Sequence, residues 1–262
     1  MNKIRGYVVC LFVLAMLVVP YRAFAFIGVD AGVGYWRQTP TGKLDYKPTS
    51  AITGNIDLKD ELNFETKNKP FVRIKAELPL ILPNIYFLAT PMTFEGSGPI
   101  TRSISFGDKQ FDVSAPVESK LKLDHYDLAL FYPIPLLKTA TLGVLNVELG
   151  LNARKIDFEG TISGSISGVR DSATKSLSLY IPMIYGGIQV KPVSALSIEA
   201  EIRGIAYSGN HYYDYIGRLK YNPIPLVYVA GGYRAETIKI DESDVKANIK
   251  FGGPFIEAGL SF

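Results

Sequence analysis

The sequence predicts an all-β protein: a single closed antiparallel transmembrane β-barrel of about ten strands, with short turns at one end and variable loops at the other. Three observations carry this. Apolar and polar residues alternate through stretch after stretch, which is the period of a strand with two unlike faces. Proline marks one set of turns, and the intervals between them are long enough for a strand, a second connection and a strand back. No later segment approaches the about 18 apolar residues of a membrane helix, so strands are the spanning element.

The N-terminus comes first. Lys3 and Arg5 precede an apolar run from Tyr7 to Val19, and Ala23-Phe24-Ala25 follows as a small-x-small site. This reads as a secretory signal peptide over 1–25, because the run is shorter than the about 20 residues of a comfortable membrane helix. An uncleaved anchor is the alternative. Removing Lys3, Arg5 and Arg22 from the 28 basic residues leaves 25, equal to the 25 acidic ones. The apparent basicity, and with it any nucleic-acid partner, disappears. Cys10 also leaves, so the mature chain offers no disulfide and no thiolate metal site. The remaining 26–262 suit one barrel domain.

Strand faces follow in order. In FVRIKAEL (71–78), Val72, Ile74, Ala76 and Leu78 oppose Arg73, Lys75 and Glu77. In TLGVLNVELGLNARKI (141–156), Leu145, Val147, Leu149 and Leu151 oppose Asn146, Glu148, Asn152 and Arg154. ALSIEAEIRG (195–204) sets Leu196, Ile198, Ala200 and Ile202 against Ser197, Glu199, Glu201 and Arg203. LVYVAGGYRAE (226–236) sets Val227, Val229 and Tyr233 against Arg234 and Glu236. Short turns are expected at LPLILPN (78–84), YPIPLL (132–137), VKPVS (190–194) and YNPIPL (221–226). The opposite connections are expected at 38–69, about 96–116, 160–173, 209–210 and 241–244. Four short turns facing five variable loops are the pattern of an outer-membrane barrel.

Aromatic residues form two candidate belts. Phe26, Tyr132, Tyr221 and Phe262 lie by the turns and termini, while Tyr35, Trp36, Tyr126, Tyr207, Tyr213 and Tyr233 lie toward the loops. The chain ends FIEAGLSF, with Ile256, Ala258, Leu260 and Phe262 on one face. Such a strand can pair with the first and close the barrel without an edge. Its terminal aromatic also resembles the signal read by the outer-membrane assembly machinery, although Glu257 stands where that signal has glycine, with Gly259 instead.

GVGYW (32–36), NIDLKDEL (55–62), LPNIYF (82–87), PMIYGG (182–187), YSGNHYYDY (207–215), GYR (232–234) and Gly253-Pro254-Phe255 resemble, in order and spacing, a family of bacterial outer-membrane β-barrel proteins with no assigned activity. The resemblance spans 26–262 and implies fold and an outer-membrane location. It supplies no catalytic residue, ligand or cofactor.

Function must be sought in the inward face. There the alternation places Arg73, Lys75, Arg203, Arg218, Lys220 and Arg234 with Asp30, Glu77, Asp127, Glu148, Glu199, Glu201, Asp214, Glu236 and Glu257. This charge network lines either a mildly cation-preferring pore or a plug of mutually paired charges, and about ten strands lie near the filled end of barrel sizes. The first expectation is therefore a small channel or structural barrel whose lumen is plugged. A surface-loop binding module for a ligand, lipopolysaccharide or adhesion is the second. An outer-membrane hydrolase is third: His125 and Asp127 share a strand face, yet no serine is assigned beside them, and His211 sits by a tight turn. The expectation is no enzyme activity, cofactor or metal. Asp57, Asp60, Glu61 and Glu65 could hold a divalent ion, but Leu58 and Leu62 make an amphipathic turn with a solvated acidic face the simpler reading. Gly160, Gly164 and Gly168 read as a flexible outer loop. Expected partners are outer-membrane lipid, lipopolysaccharide and the assembly machinery, with the chain a monomer.

A soluble lipocalin-like barrel is the alternative fold. Charge placement favours the membrane, because a lipocalin would line its cavity with the apolar face. The hairpin AEIRGIAYSGNHYYDYIGRLKYN leaves two registers. A Gly209-Asn210 turn pairs Glu201 with Arg218 and Glu199 with Lys220. A Ser208-Gly209 turn pairs Arg203 with Asp214 and Glu199 with Arg218. A slip by one would point charges at lipid.

Overall fold

The computed structural model describes residues 28–46, 56–79, 82–100, 104–106, 109–111, 116–166, 169–242 and 245–262. The expected signal segment and Phe26 lie outside them, as do Gly168 and the tip of the β9–β10 hairpin. In chain order the elements are β1 (Gly28–Tyr46), β2 (Ile56–Asp57), β3 (Lys67–Glu77), β4 (Asn84–Thr90), β5 (Thr93–Pro99), β6 (Ile104–Phe106), β7 (Lys109–Phe111), β8 (Pro116–Pro133), helix α1 (Leu137–Ala140), β9 (Leu145–Ile166), β10 (Val169–Val193), β11 (Leu196–Tyr207), β12 (Asn210–Ile224), β13 (Val227–Asp241) and β14 (Val245–Ser261).

Ten antiparallel staves close on themselves: β1, β3, β4 with β5, and β8 to β14, with β14 returning to β1. β4 and β5 make one stave because both pair with β8 in a single register, Thr90 with His125 and Thr93 with Lys122. Pro91 interrupts the ladder, since proline has no N–H to donate. The gap is bridged locally: Met92 N–H donates to the Asp124 carboxylate at 2.8 Å, and Leu123 N–H to the Met92 carbonyl at 2.8 Å.

The terminal strand closes the barrel as its alternation predicts. Asp30 pairs with Ser261 and Tyr46 with Val245, and beyond the ladder Phe262 N–H donates to the Val29 carbonyl at 2.8 Å. Ile256 and Phe262 face outward, while Glu257 is buried. The four proline-marked turns lie at this end, the second carrying α1. Outward-facing Val33, Leu130, Leu149, Ile184, Leu219 and Ile256 are all exposed side chains, forming the apolar band expected against lipid.

Four expectations need correction. Residues 160–166 and 169–173 are paired strand rather than a flexible loop. Gly160 and Gly164 face inward there: a Cβ on Gly160 would approach the rings of Phe158 and Phe106 within 3.3 Å, and one on Gly164 would approach Phe111 at 3.1 Å. These glycines make room for the rings of the second outer connection. Trp36 does not belong to a belt. Its neighbour Tyr35 faces lipid, so alternation turns the indole inward, where it is fully buried and donates to the Gly253 carbonyl at 3.1 Å. Tyr207 likewise has inward parity, but it ends β11 beside the hairpin turn, beyond the last β10–β11 pair, and is exposed. Glu77, expected in the lumen, is exposed at the turn end and meets Lys138 at 3.5 Å.

The β11–β12 hairpin takes the Ser208–Gly209 register, pairing Glu199 with Arg218 and Arg203 with Asp214. A two-residue type I′ turn needs positive φ at both central residues. Ser208 at 50° and Gly209 at 84° supply it. Asn210 bonds sideways instead, accepting from Asp241 N–H at 2.7 Å and donating to Glu242 at 2.6 Å. Both registers keep the same face inward, and Glu201 and Arg218 are buried as that face requires.

A buried charge layer beneath an apolar mouth

Alternation on eight staves brings the predicted charges to the inside of the barrel, in a layer two tiers deep. Apart from Glu77, every residue of the predicted set faces the lumen, with Asp30 and Lys75 only partly covered. Two linked groups form. Nearer the turns, Arg73 Nε donates to Glu257 at 2.8 Å and its Nη2 to the Tyr228 hydroxyl at 3.1 Å. Lys75 reaches both oxygens of Glu148 at 2.8 and 2.7 Å, Lys220 reaches Asp30 at 2.6 Å, and Arg218 bridges Glu199 and Glu201 at 3.1 and 3.0 Å.

The second group lies farther out and centres on Asp214. Arg234 donates to both of its oxygens, at 3.0 and 2.8 Å, and Arg154 donates to it at 2.5 Å. Arg154 also forks onto Asp127 with two bonds of 2.8 Å. Arg203 joins Glu201 at 3.2 Å. Its Nε and Nη1 find no acceptor among the described groups, but its guanidinium lies over the rings of Tyr86 and Tyr185, 4.5 and 5.3 Å from their centroids. Ring faces carry the negative end of the aromatic quadrupole and partly replace the missing acceptors.

Arg154 is the residue the predicted lumen set lacked. Its signal was present, because it shares the Asn146, Glu148, Asn152 face of β9. With Arg154 in and Glu77 out, Arg73, Lys75, Arg154, Arg203, Arg218, Lys220 and Arg234 stand against Asp30, Asp127, Glu148, Glu199, Glu201, Asp214, Glu236 and Glu257. Seven cations nearly balance eight anions, and Tyr86, Tyr185 and Tyr228 fill the space between them at zero exposure.

His125 is drawn into the same layer. Its Nδ1 lies 3.0 Å from the Leu123 carbonyl, and its Nε2 lies 3.2 Å from both Arg234 and Glu236. Asp127 is held by Arg154 and Asn152 and does not orient the imidazole. The paired base and carboxylate considered from the sequence are therefore engaged with other partners. His211 stacks on Tyr213, ring centroids 5.2 Å apart, at the hairpin end.

Above the charges the interior turns apolar, and two outer connections fold against it. Leu58, Leu62 and Phe64 of the first are buried, as are Phe106 and Phe111 of the second. The acidic turn caps itself: Asp57 accepts from Lys59 and Asp60 N–H at 2.9 and 3.0 Å, and Glu61 accepts from Asp57 N–H at 2.7 Å. Among the described residues no group of three or more His, Cys, Asp or Glu is placed to hold a metal ion.

No family model and no curated protein matches this chain by sequence. Solved structures do match by shape. The outer membrane protease OmpT from Escherichia coli superimposes with a TM-score of 0.53 at 12% identity, covering 91% of this chain and 96% of that one. The translocator domain of the autotransporter NalP from Neisseria meningitidis gives 0.41 at 10% identity, over 100% and 96% of the two chains. Ail, the attachment invasion locus protein of Yersinia pestis, in complex with the heparin analogue sucrose octasulfate, gives 0.36 at 11%, over 90% and 99%. This chain is a closed, ten-stranded antiparallel β-barrel with the fold of bacterial outer-membrane proteins.

Proposed function

We propose that this protein is a non-conducting, non-enzymatic barrel of the outer membrane, and that its work is done by binding at its outer face. The observation that carries the reading is the near-neutral, mutually bonded charge layer across the middle of the lumen. A selective pore presents an excess of one sign to water. Here each charge has an opposite partner, and aromatic rings occupy the remaining space. Opening such a layer would separate buried ion pairs, which is costly.

Binding at the outer face is favoured by the distribution of structure. β9 and β10 stay paired as far as Ile166 and Val169, beyond the exposed tyrosines of the outer belt. A polar cleft of about 960 Å³ lies nearby between the first connection, β5 and β8. Outer-membrane lipid and lipopolysaccharide are the surroundings of this face, and a monomer is the working unit. Reconstitution in planar bilayers tests the reading. Silence is expected across a voltage ramp, whereas steady cation-selective steps would overturn the closed lumen.

A further inference from the structure

Above the charge layer the barrel encloses a cavity of about 630 Å³, within the ~300–1,000 Å³ range of small-molecule sites. Its wall is hydrocarbon, with Leu123, Ile156, Leu177, Ile181, Ile205 and Ile238 facing it from five strands. Water inside would find few hydrogen-bond partners. An apolar guest would lose nothing by replacing it. Lys175 and Lys239 stand among the lining residues on the loop side, together with Glu242. Below, Tyr212 and Arg154 stack with 4.7 Å between guanidinium and ring centroid, so the charge layer forms the floor.

The side wall has a notch. The β10–β11 ladder ends at Ile184 and Gly204, although β10 continues outward to Val169 and β11 to Tyr207. Beyond that point β10 pairs only with β9 and β11 only with β12 among the described residues. The two strands part three residues before β11 ends, and the β11–β12 hairpin then turns at Ser208–Gly209 while β9–β10 runs on. The depth of the notch is set by its neighbours: Gly204 pairs with Tyr213, and Tyr126 and Tyr180 both pair with Lys155. These tyrosines mark the outer interface, where hydrocarbon meets headgroup. Ile181 and Ile205, on either side of this gap, both line the cavity, so the notch lies beside it at the upper edge of the bilayer.

We propose that this cavity binds a single-chain aliphatic carboxylate taken from outside, and that the β10–β11 notch releases it into the outer leaflet. The apolar wall receives the chain, and Lys175, which shares the inward parity of Leu177 and Ile181, stands toward the mouth where the carboxylate sits, while Lys239 has outward parity and only flanks the rim. The sideways release rests on the closed lumen proposed above, while the binding itself does not. A conductance trace and a binding assay therefore fail separately.

The test uses the full mature chain in vesicles with a lipopolysaccharide outer leaflet, and dodecanoic acid carrying a terminal diazirine. Photolysis is expected to label peptides containing Leu177–Ile181 and Ile205. Ala247→Trp, which fills the cavity from β14, should lower that label at least tenfold while heat-dependent gel mobility still reports a folded barrel. Should that variant not fold, Leu177→Asp on the free edge of β10 makes the same test. Label confined to the lipid-facing band, or unchanged by these variants, would overturn the site. The same diazirine chain esterified in phospholipid is the counter-arm, and its preferential labelling of the cavity would overturn capture from outside. Finally, Pro182→Cys with Ala206→Cys places two thiols across the notch in a mature chain that has no other. Bridging them with a bis-maleimide should leave labelling intact and slow transfer of radiolabelled dodecanoate into the leaflet at least fivefold. Unchanged transfer would overturn the lateral exit.

Discussion

Asp214→Asn is the sharpest probe of whether the lumen is a dry plug. Asp214 meets Arg154 at 2.5 Å, Arg234 at 2.8 Å and Arg203 at 3.9 Å, and all four side chains are at most 3% exposed. Around it Asp127, Asp214 and Glu236 balance Arg154, Arg203 and Arg234. Neutralising one carboxylate leaves this buried group of six with one excess positive charge. The amide also turns a donor toward guanidinium groups that can only donate. Breaking a buried pair from one side typically costs about 3–5 kcal/mol. That loss is expected in reversible guanidinium unfolding from thin phospholipid bilayers, with an unchanged denaturant slope. Glu159→Gln is the matched surface control, because its Lys120 partner at 2.8 Å is well exposed, and it should produce no measurable change. An Asp214→Asn effect below about 1 kcal/mol, the range of solvated ion pairs, would refute the plug and imply a hydrated lumen.

Three further outcomes follow from the fold. Gly209→Ala should cost about 1–2 kcal/mol, the penalty of a left-handed non-glycine residue; φ there is 84° and a Cβ would meet nothing within 4 Å, so a loss would come from backbone conformation, and a neutral result in the same unfolding assay would contradict the type I′ turn. Deleting Phe262 removes its two backbone bonds to Val29, of 2.8 and 3.2 Å, each worth about 0.5–1.5 kcal/mol; the folded, heat-modifiable gel band should appear more slowly during assembly, and an unchanged rate would show that closure does not depend on the terminal pair. Acid should loosen the second outer connection. The Lys109 ammonium, with Ser172 N–H, holds the Asp171 carboxyl below its usual range, so this tie is present above the ordinary carboxylate pKa and is lost as pH falls through the lowered one. Faster hydrogen exchange in Lys109–Phe111 at pH 3 than at pH 6, after correction for intrinsic rates, is the expected reading.

Which residues face inward could be read from the alternation alone. Strand side chains alternate with period two, and a cation turned toward the bilayer midplane costs about 2–4 kcal/mol, more than the roughly 0.2–1 kcal/mol of a single cross-strand pair. The faces of Arg73, Glu199, Arg218 and Glu257 were legible for that reason, and Arg154 was legible on the same argument. Strand ends were harder to read. Alternation states a side but not a depth, which is why Glu77 has lumen parity yet sits at the rim, and why Trp36 looked like its neighbour Tyr35. Tertiary structure decided the β11–β12 register, because both candidate turns kept parity and only the positive φ of Ser208 and the bonds of Asn210 to the next hairpin separated them. It also decided the partners of each charge, which come from strands far apart in sequence. The apolar cavity and its notch arise at the same level: they depend on how far each strand stays paired with its neighbour, a quantity that register and closure set for the whole barrel and that no single strand encodes.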